Sequence, residues 1–116
     1  NTENIFKLGD TSAEIYLIRK GTVRIFLPLI TGGSVYLASF GQGDFFGDMS
    51  FLDKAVRSAN AVADDDVCLY VISREEFDLI ASEYPKIAGI VFERIAQMLA
   101  MRLRKTDIEL NTLYEA

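Results

Sequence analysis

Residues 43–59 read GDFFGDMSFLDKAVRSA and hold the densest set of chemical signals in the chain. Gly43 and Gly47 permit tight turns and let a ligand come close to the backbone. The run Asp48-Met49-Ser50-Phe51-Leu52 predicts one helical turn, whose first N–H groups have no acceptor within the helix and attract anions. Arg57 follows ten residues after Gly47 and carries a fork of donors that suits a phosphate. The alternative is that the glycines serve hairpins only and that Arg57 is a surface residue.

Outward from this stretch, residues 5–72 contain short runs of β-branched and aromatic residues, and glycines separate these runs at Gly9, Gly21 and Gly32-Gly33. Short strands with turn signals every 8–12 residues or so are typical of antiparallel barrels and sandwiches. Two closing runs, 59–63 and 67–72, continue this pattern. The sequence predicts an antiparallel β-barrel or jelly roll.

A change of periodicity after Ile72 indicates helices. Ser73 is a candidate N-cap, and Glu76 follows at the spacing of a capping box. This first helix should end near Pro85, where a second helix begins and runs to about Leu113. The expected fold class is therefore mainly β with C-terminal α structure, a barrel or jelly roll followed by two helices.

We expect one domain, in which residues 1–72 form the barrel and residues 73–116 form helices that belong to the same domain. The second helix carries leucines at alternating steps of four and three, with Thr106 filling one step. This spacing is a coiled-coil seam of only about two heptads. It predicts a possible homodimer through four side chains: Leu99, Leu103, Leu110 and Leu113.

Composition excludes several classes of function. Twelve basic residues against seventeen acidic ones give a net charge of -5, which argues against nucleic-acid binding by this domain. The chain has no histidine, and Asp44 with Asp48 lacks a nucleophile, so we expect no catalytic residues, no metal site, no cofactor and no enzyme activity. The single cysteine, Cys68, has no second thiol in the chain to form a disulfide with, which favours a reducing cytoplasm. Because Cys68 lies in an apolar run, we expect its side chain in the core. No apolar stretch approaches the length of a membrane span, so membrane association is expected only through a parent protein.

The order of these motifs resembles the cyclic nucleotide-binding domain family, of the catabolite activator protein and cAMP-dependent kinase regulatory-subunit type. The segments 5–10, 14–18 and 21–23 are similar to the family's first two strands and their glycine turn. Residues 43–48 and 57–59 resemble the two ends of its phosphate-binding cassette, here about 43–59. The match covers about residues 4 to 105.

The resemblance implies a ligand site in that cassette. Arg57 would bind the exocyclic phosphate, with the amides of Met49 and Ser50 and the side chain or amide of Ser58 as further donors. Gly47 would let the ribose approach the backbone, and Asp48 would accept a hydrogen bond from the ribose 2′-hydroxyl. Aspartate stands where the family usually has glutamate, and it is one methylene shorter. The base would lie near Val35 and Leu37.

Two functions follow as hypotheses. The first is a regulatory signal-transduction domain that binds cAMP or cGMP and transmits binding through the C-terminal helix to the rest of a larger protein. The alternative is a degenerate, ligand-free module that serves dimerisation or intramolecular interaction. The run 46–53 also resembles domains appended to bacterial anion transporters of the sulfate-permease type, which suggests a cytoplasmic role in transport regulation.

Overall fold

The computed structural model describes residues 3–64 and 66–115, without the side chains of residues 114 and 115. The ends of the predicted ranges 1–72 and 73–116 at residues 1, 2 and 116 lie outside the described residues. In chain order the elements are β1 (Glu3–Phe6), β2 (Ile15–Lys20), β3 (Val23–Pro28), β4 (Ser34–Phe40), β5 (Phe45–Phe46), α1 (Asp48–Asp53), β6 (Asn60–Ala63), β7 (Cys68–Ile72), α2 (Arg74–Glu83) and α3 (Pro85–Glu115).

The strands form two antiparallel sheets. One has the order β1-β6-β3-β4, and the other has the order β5-β2-β7. The predicted fold class, mainly antiparallel β structure followed by helices, is confirmed. The hairpin predicted at Gly32-Gly33 joins β3 to β4, because Leu29 donates to the Gly33 carbonyl and accepts from the Gly32 amide.

Three aromatic rings form the centre of the β core. Phe6 from β1, Tyr16 from β2 and Phe46 from β5 are each at most 7% exposed. The rings of Tyr16 and Phe46 stack at 4.8 Å, and Phe6 lies 5.9 and 6.1 Å from them. Smaller buried side chains complete the cluster: Ile18, Val23 and Ala61. Both sheets therefore contribute to one apolar centre, beside which the candidate site is built.

The first strand ends earlier than its apolar run predicts. Lys7 donates its amide to Asp10 Oδ2 at 2.9 Å, and Asp10 donates its amide to the Lys7 carbonyl at 3.0 Å. Leu8, expected within the strand, donates instead to Asn60 Oδ1 and is 47% exposed. The turn chemistry of Asp10 therefore ends β1 at Phe6.

The helical half follows the sequence signals closely. Ser73 Oγ accepts from the Glu76 amide, and Glu76 Oε1 accepts from the Ser73 amide, which is the predicted capping box. Pro85 begins α3, whose 31 residues are about 46 Å long. The chain divides into two compact units, the first through Glu76 and the second from Phe77. The expectation that both halves form one domain stays a prediction.

The placement of Cys68 differs from the expected one. Its side chain is exposed at the start of β7, not buried, and Arg19 Nη1 lies 4.0 Å from its Sγ. The prediction of a core position was wrong because successive side chains of a strand face opposite sides of the sheet: Cys68 is exposed together with Tyr70, whereas Leu69 packs against the buried core cluster.

Candidate functional site

The short helix α1 begins in a backbone conformation that requires glycine. Gly47 has φ of 76° and caps the helix without a side-chain hydrogen bond. A Cβ at this position would lie 2.9 Å from Arg57 Nη1 and 3.0 Å from the Glu14 carbonyl oxygen. Gly47 is therefore needed for close packing within the protein, in addition to any contact with a ligand.

Arg57 is fixed by its main chain to the loop between β1 and β2. Its amide donates to the Asp10 carbonyl, and its carbonyl accepts from the Gly9 amide, both at 2.8 Å. This loop, and not a strand ladder, carries residue 57 back toward Gly47. Gly47 and Arg57 are therefore brought together through contacts with the loop between β1 and β2.

The Arg57 side chain points inward and is only 2% exposed. Its Nη1 donates to the Gly47 carbonyl at 2.8 Å, its Nη2 to the Glu14 carbonyl at 2.7 Å, and its Nε to Ser12 Oγ at 3.2 Å. All three acceptors are neutral oxygen atoms. The guanidinium thus joins three segments of the chain through hydrogen bonds that leave its positive charge without a hydrogen-bonded carboxylate.

Aromatic rings flank the guanidinium. Arg57 Cζ lies 4.1 Å from the ring centroid of Phe6 and 5.7 Å from that of Tyr16, within the range of cation–π attraction. Burial lowers the pKa of Arg57 from its ordinary value, while the nearby Tyr16 and Glu14 oppose this shift. Burial, and after it the Glu14 charge, raises the pKa of Tyr16. The site is a dry aromatic environment around one cation.

The hydrogen-bonding capacity of Arg57 exceeds what the protein uses. A guanidinium has five N–H groups, and three of them donate to Ser12, Gly47 and Glu14, while the Tyr16 hydroxyl is a further hydrogen-bond partner. The capacity that remains on the Nη atoms suits a charge-assisted hydrogen bond to an anion. Because the side chain is buried, a ligand reaches them only when the cassette adjusts.

The other predicted cassette residues differ in accessibility. Asp48 and Ser50 are each 4% exposed, whereas Met49 is 61% exposed and Ser58 is also exposed. The structure brings Gly47 and Arg57 together, with Asp48, Met49 and Ser50 in the first turn of α1 beside them.

The predicted base-side residues lie on a separate sheet edge. Val35 and Leu37 belong to β4, which forms one edge of the four-stranded sheet, and they are 43% and 51% exposed. The register with β3 shifts between Tyr36 and Ala38, which leaves Leu37 as the extra residue. Their contact with a base stays a prediction.

Sequence reasoning missed the groups that hold Arg57: Phe6, Ser12, Glu14 and Tyr16. Two of them act through a carbonyl or a lone hydroxyl, which carry no sequence signature. The presence of one aromatic residue in each of three short strands, at Phe6, Tyr16 and Phe46, is a sequence signal for a shared aromatic core. It does not reveal that this core contacts Arg57.

Comparison with known proteins decides the family. Residues 1–84 match the model of the cyclic nucleotide-binding domain. The chain belongs to the cyclic nucleotide-binding domain family. The earlier resemblance is confirmed, and the cassette residues of this domain can be discussed as a candidate cyclic nucleotide site.

Relatives of this domain occur in larger proteins. The cyclic AMP receptor protein of Thermus thermophilus is 39% identical over 109 residues, which are 94% of this chain and 49% of that protein. The crystal structure of the Thermus thermophilus catabolite activator protein has a TM-score of 0.80 at 38% identity and covers 97% of this chain and 51% of that one. A lysophospholipase of Neurospora crassa is 31% identical over 100 residues, 86% of this chain and 6% of the enzyme. The chain therefore spans at most about half of these relatives, and the domain also accompanies an enzyme.

The part of the chain that the structure describes contains neither a candidate metal centre nor a candidate membrane span. Within residues 3–64 and 66–115, no group of three or more histidine, cysteine, aspartate or glutamate side chains could hold a metal ion. Over the same part of the chain, no helix has both the length and the apolar character that a membrane crossing needs.

Proposed function

We propose that this domain binds a cyclic nucleotide, cAMP or cGMP, in the cassette 43–59 and transmits binding through α3 to the rest of a larger protein. The observation that carries the proposal is the buried guanidinium of Arg57, which touches Gly47 at the start of α1 and has no carboxylate among its three hydrogen-bond acceptors. The name of the Thermus thermophilus relative, a cyclic AMP receptor, supports the same ligand class.

The phosphate is recognised by charge and by the fork of Arg57. The hydrogen-bonding capacity that remains on the Nη atoms of Arg57 binds the phosphate, and the amides of Met49 and Ser50 with Ser58 add donors. A charge-assisted hydrogen bond in a dry site contributes about 1.5–3 kcal/mol. The cyclic phosphate carries one negative charge, which the single cation of Arg57 balances.

Asp48 is the proposed acceptor for the ribose 2′-hydroxyl. Its carboxylate is one methylene shorter than the glutamate usual in the family, so a bridging water completes the contact where the direct distance is too long. A bridging water is nearly as favourable in enthalpy as a direct hydrogen bond. Val35 and Leu37 supply apolar surface for the base.

Calorimetry with cAMP and with cGMP tests the proposal. Wild type should bind at least one of them, and Arg57→Ala should weaken binding roughly 10- to 150-fold. Arg57→Lys keeps the charge but not the fork, and should fall between the two. The matched control is Arg24→Ala, because Arg24 pairs with Asp64 at 2.8 Å, away from the cassette. Equal binding by wild type and Arg57→Ala would overturn the proposed role.

A second candidate function is the ligand-free interaction module. Two observations favour it: the internal hydrogen bonds already occupy most of Arg57, and α3 exposes Leu103, Leu110 and Leu113 by 64%, 46% and 72%. Leu99, the fourth leucine of the predicted seam, is half-buried. In this case the leucines would form the interface of a homodimer.

Sedimentation without nucleotide separates the two candidates. A dimer that Leu103→Glu dissociates, together with no nucleotide released on denaturation and detected by mass spectrometry, supports the module. Leu79→Glu is the matched control, since Leu79 in α2 is 70% exposed and lies outside the seam. A monomer that releases cAMP or cGMP supports the sensor.

A further inference from the structure

Phe6 is the residue in closest aromatic contact with Arg57. The guanidinium carbon lies 4.1 Å above its ring, and the two side chains are 7% and 2% exposed. Both side chains are therefore almost completely shielded from solvent. Cation–π attraction is strongest for such desolvated pairs.

A bulge in β1 determines where Phe6 points. Asn4 pairs with Val62 of β6 and Phe6 pairs with the next residue, Ala61, so Ile5 is an extra residue in the ladder. Bulges re-aim side chains locally. Phe6 thus lies opposite Ala61, which is fully buried, and its own ring is buried beneath the guanidinium of Arg57.

The stacking constrains a degree of freedom that the hydrogen bonds leave soft. The acceptors on Ser12, Gly47 and Glu14 lie around the edge of the guanidinium and constrain its nitrogen atoms mainly within its plane, since a hydrogen bond tolerates some out-of-plane displacement of the donor. A ring packed against one face limits that displacement. The orientation of the plane sets the direction of the remaining N–H groups, on which contact with a phosphate depends.

We propose that Phe6 is a positioning residue for the phosphate-binding guanidinium: its ring, aimed by the β1 bulge, holds the plane of Arg57 so that its remaining N–H groups face a cyclic nucleotide phosphate. The inference rests on the proposed function. It adds a residue on the first strand, outside the cassette, to the determinants of affinity.

Two leucine variants give a matched comparison. Phe6→Leu removes the stacked ring, whereas Phe77→Leu removes a ring that is also buried but lies in α2, outside the cassette. Both should lower thermal stability by cavity formation. Calorimetry with cAMP and cGMP on the folded variants should show about 5- to 30-fold weaker binding for Phe6→Leu only. Phe6→Met serves as a second variant if Phe6→Leu does not fold.

A measurement without ligand separates this inference from the proposed function. In ¹⁵N-labelled protein, the Nε–H signal of Arg57 should be shifted upfield by the Phe6 ring current and protected from exchange. Phe6→Leu or Phe6→Met should abolish the upfield shift, and Phe77→Leu should retain it. Equal loss of nucleotide affinity in the Phe6 and Phe77 variants, or an unchanged Arg57 signal without Phe6, would overturn the inference. Failure of wild type to bind either nucleotide would instead overturn the proposed function. The Arg57 Nε–H signal would then still test whether the Phe6 ring packs on the guanidinium.

Discussion

Gly47 and Arg57 are in direct contact at the candidate site, and this contact explains why residue 47 is a glycine. The Arg57 Nη1 donates to the Gly47 carbonyl at 2.8 Å, and the space where a Cβ would stand is closed by the same Nη1, the Glu14 carbonyl and the Tyr16 ring. A cassette glycine thus has a structural reason besides room for a ribose. The spacing of ten residues between Gly47 and Arg57 is the feature of the sequence that corresponds to this packing.

Gly47→Ala is expected to destabilise the protein more than Gly43→Ala. Both glycines have positive φ, 76° and 88°, so each substitution costs about 1–2 kcal/mol of backbone strain. A Cβ at residue 43 would meet nothing within 4 Å, whereas one at residue 47 would overlap backbone and side-chain atoms, which adds about 1–3 kcal/mol. Urea unfolding measures both. Equal losses of unfolding free energy would contradict the packing described for residue 47.

Tyr16 makes the stability of the protein sensitive to alkaline pH. Burial and the Glu14 charge raise its folded-state pKa above the ordinary value of 10.0, so ionisation favours the unfolded chain. This contribution to stability is fully present below about pH 10 and is lost as the pH rises through the folded pKa. Tyr16→Phe should therefore reduce the fall in unfolding free energy between about pH 9 and about pH 11. Parallel curves for the two proteins in urea titrations would argue against this origin.

The candidate site could be predicted in part. Gly47 and Arg57 were found because glycine and arginine at that spacing are distinctive, and α1 because its short run follows a glycine. The acceptors of Arg57 could not be found, since a carbonyl of Glu14 looks like any other in the sequence. The burial of Arg57 was missed for the same reason: a charged residue is expected outside unless its partners are known.

At the scale of elements, turn and cap chemistry decided which boundaries could be predicted. Glycine turns gave the order of β2, β3 and β4, and the Ser73–Glu76 pair gave the start of α2. The two-residue strand β5 escaped prediction because it is too short to have a period of its own and forms only by pairing with β2. β1 was extended too far, since an apolar side chain at Leu8 does not reveal the hydrogen bond of its amide.

Ser73→Ala should lower the unfolding free energy by about 1 kcal/mol, because the Glu76 amide loses its side-chain acceptor at the first turn of α2. Ser73→Thr keeps a hydroxyl at the same position and should lose much less. Thermal and urea denaturation of the three proteins would measure the differences. A Thr variant as unstable as the Ala variant would mean that the hydroxyl at residue 73 does not act as a cap.

For the whole molecule, family membership followed from the order of weak signals along the chain. Neither the glycine turns nor the short strands are specific, but their order, followed by a cassette and the helix α2, matches the cyclic nucleotide-binding domain over residues 1–84. Because the net charge is -5, the proposed anion binding would depend on local cations such as Arg57 and not on the general field of the domain. The chain spans 49% of the length of the cyclic AMP receptor protein that it resembles. The activity of a larger protein that contains this domain is therefore part of the proposed function only.

Titration of the ¹⁵N-labelled domain with cAMP, and separately with cGMP, tests the central claim most directly. The account predicts saturable shift changes that are largest at the amides of Gly47, Met49 and Ser50 and at the side chain of Arg57, with at least one of the two nucleotides. It is contradicted if neither nucleotide moves these signals, or if the largest changes fall on residues remote from the cassette, such as those of the cavity of about 500 Å³ beside Glu3 and Leu69.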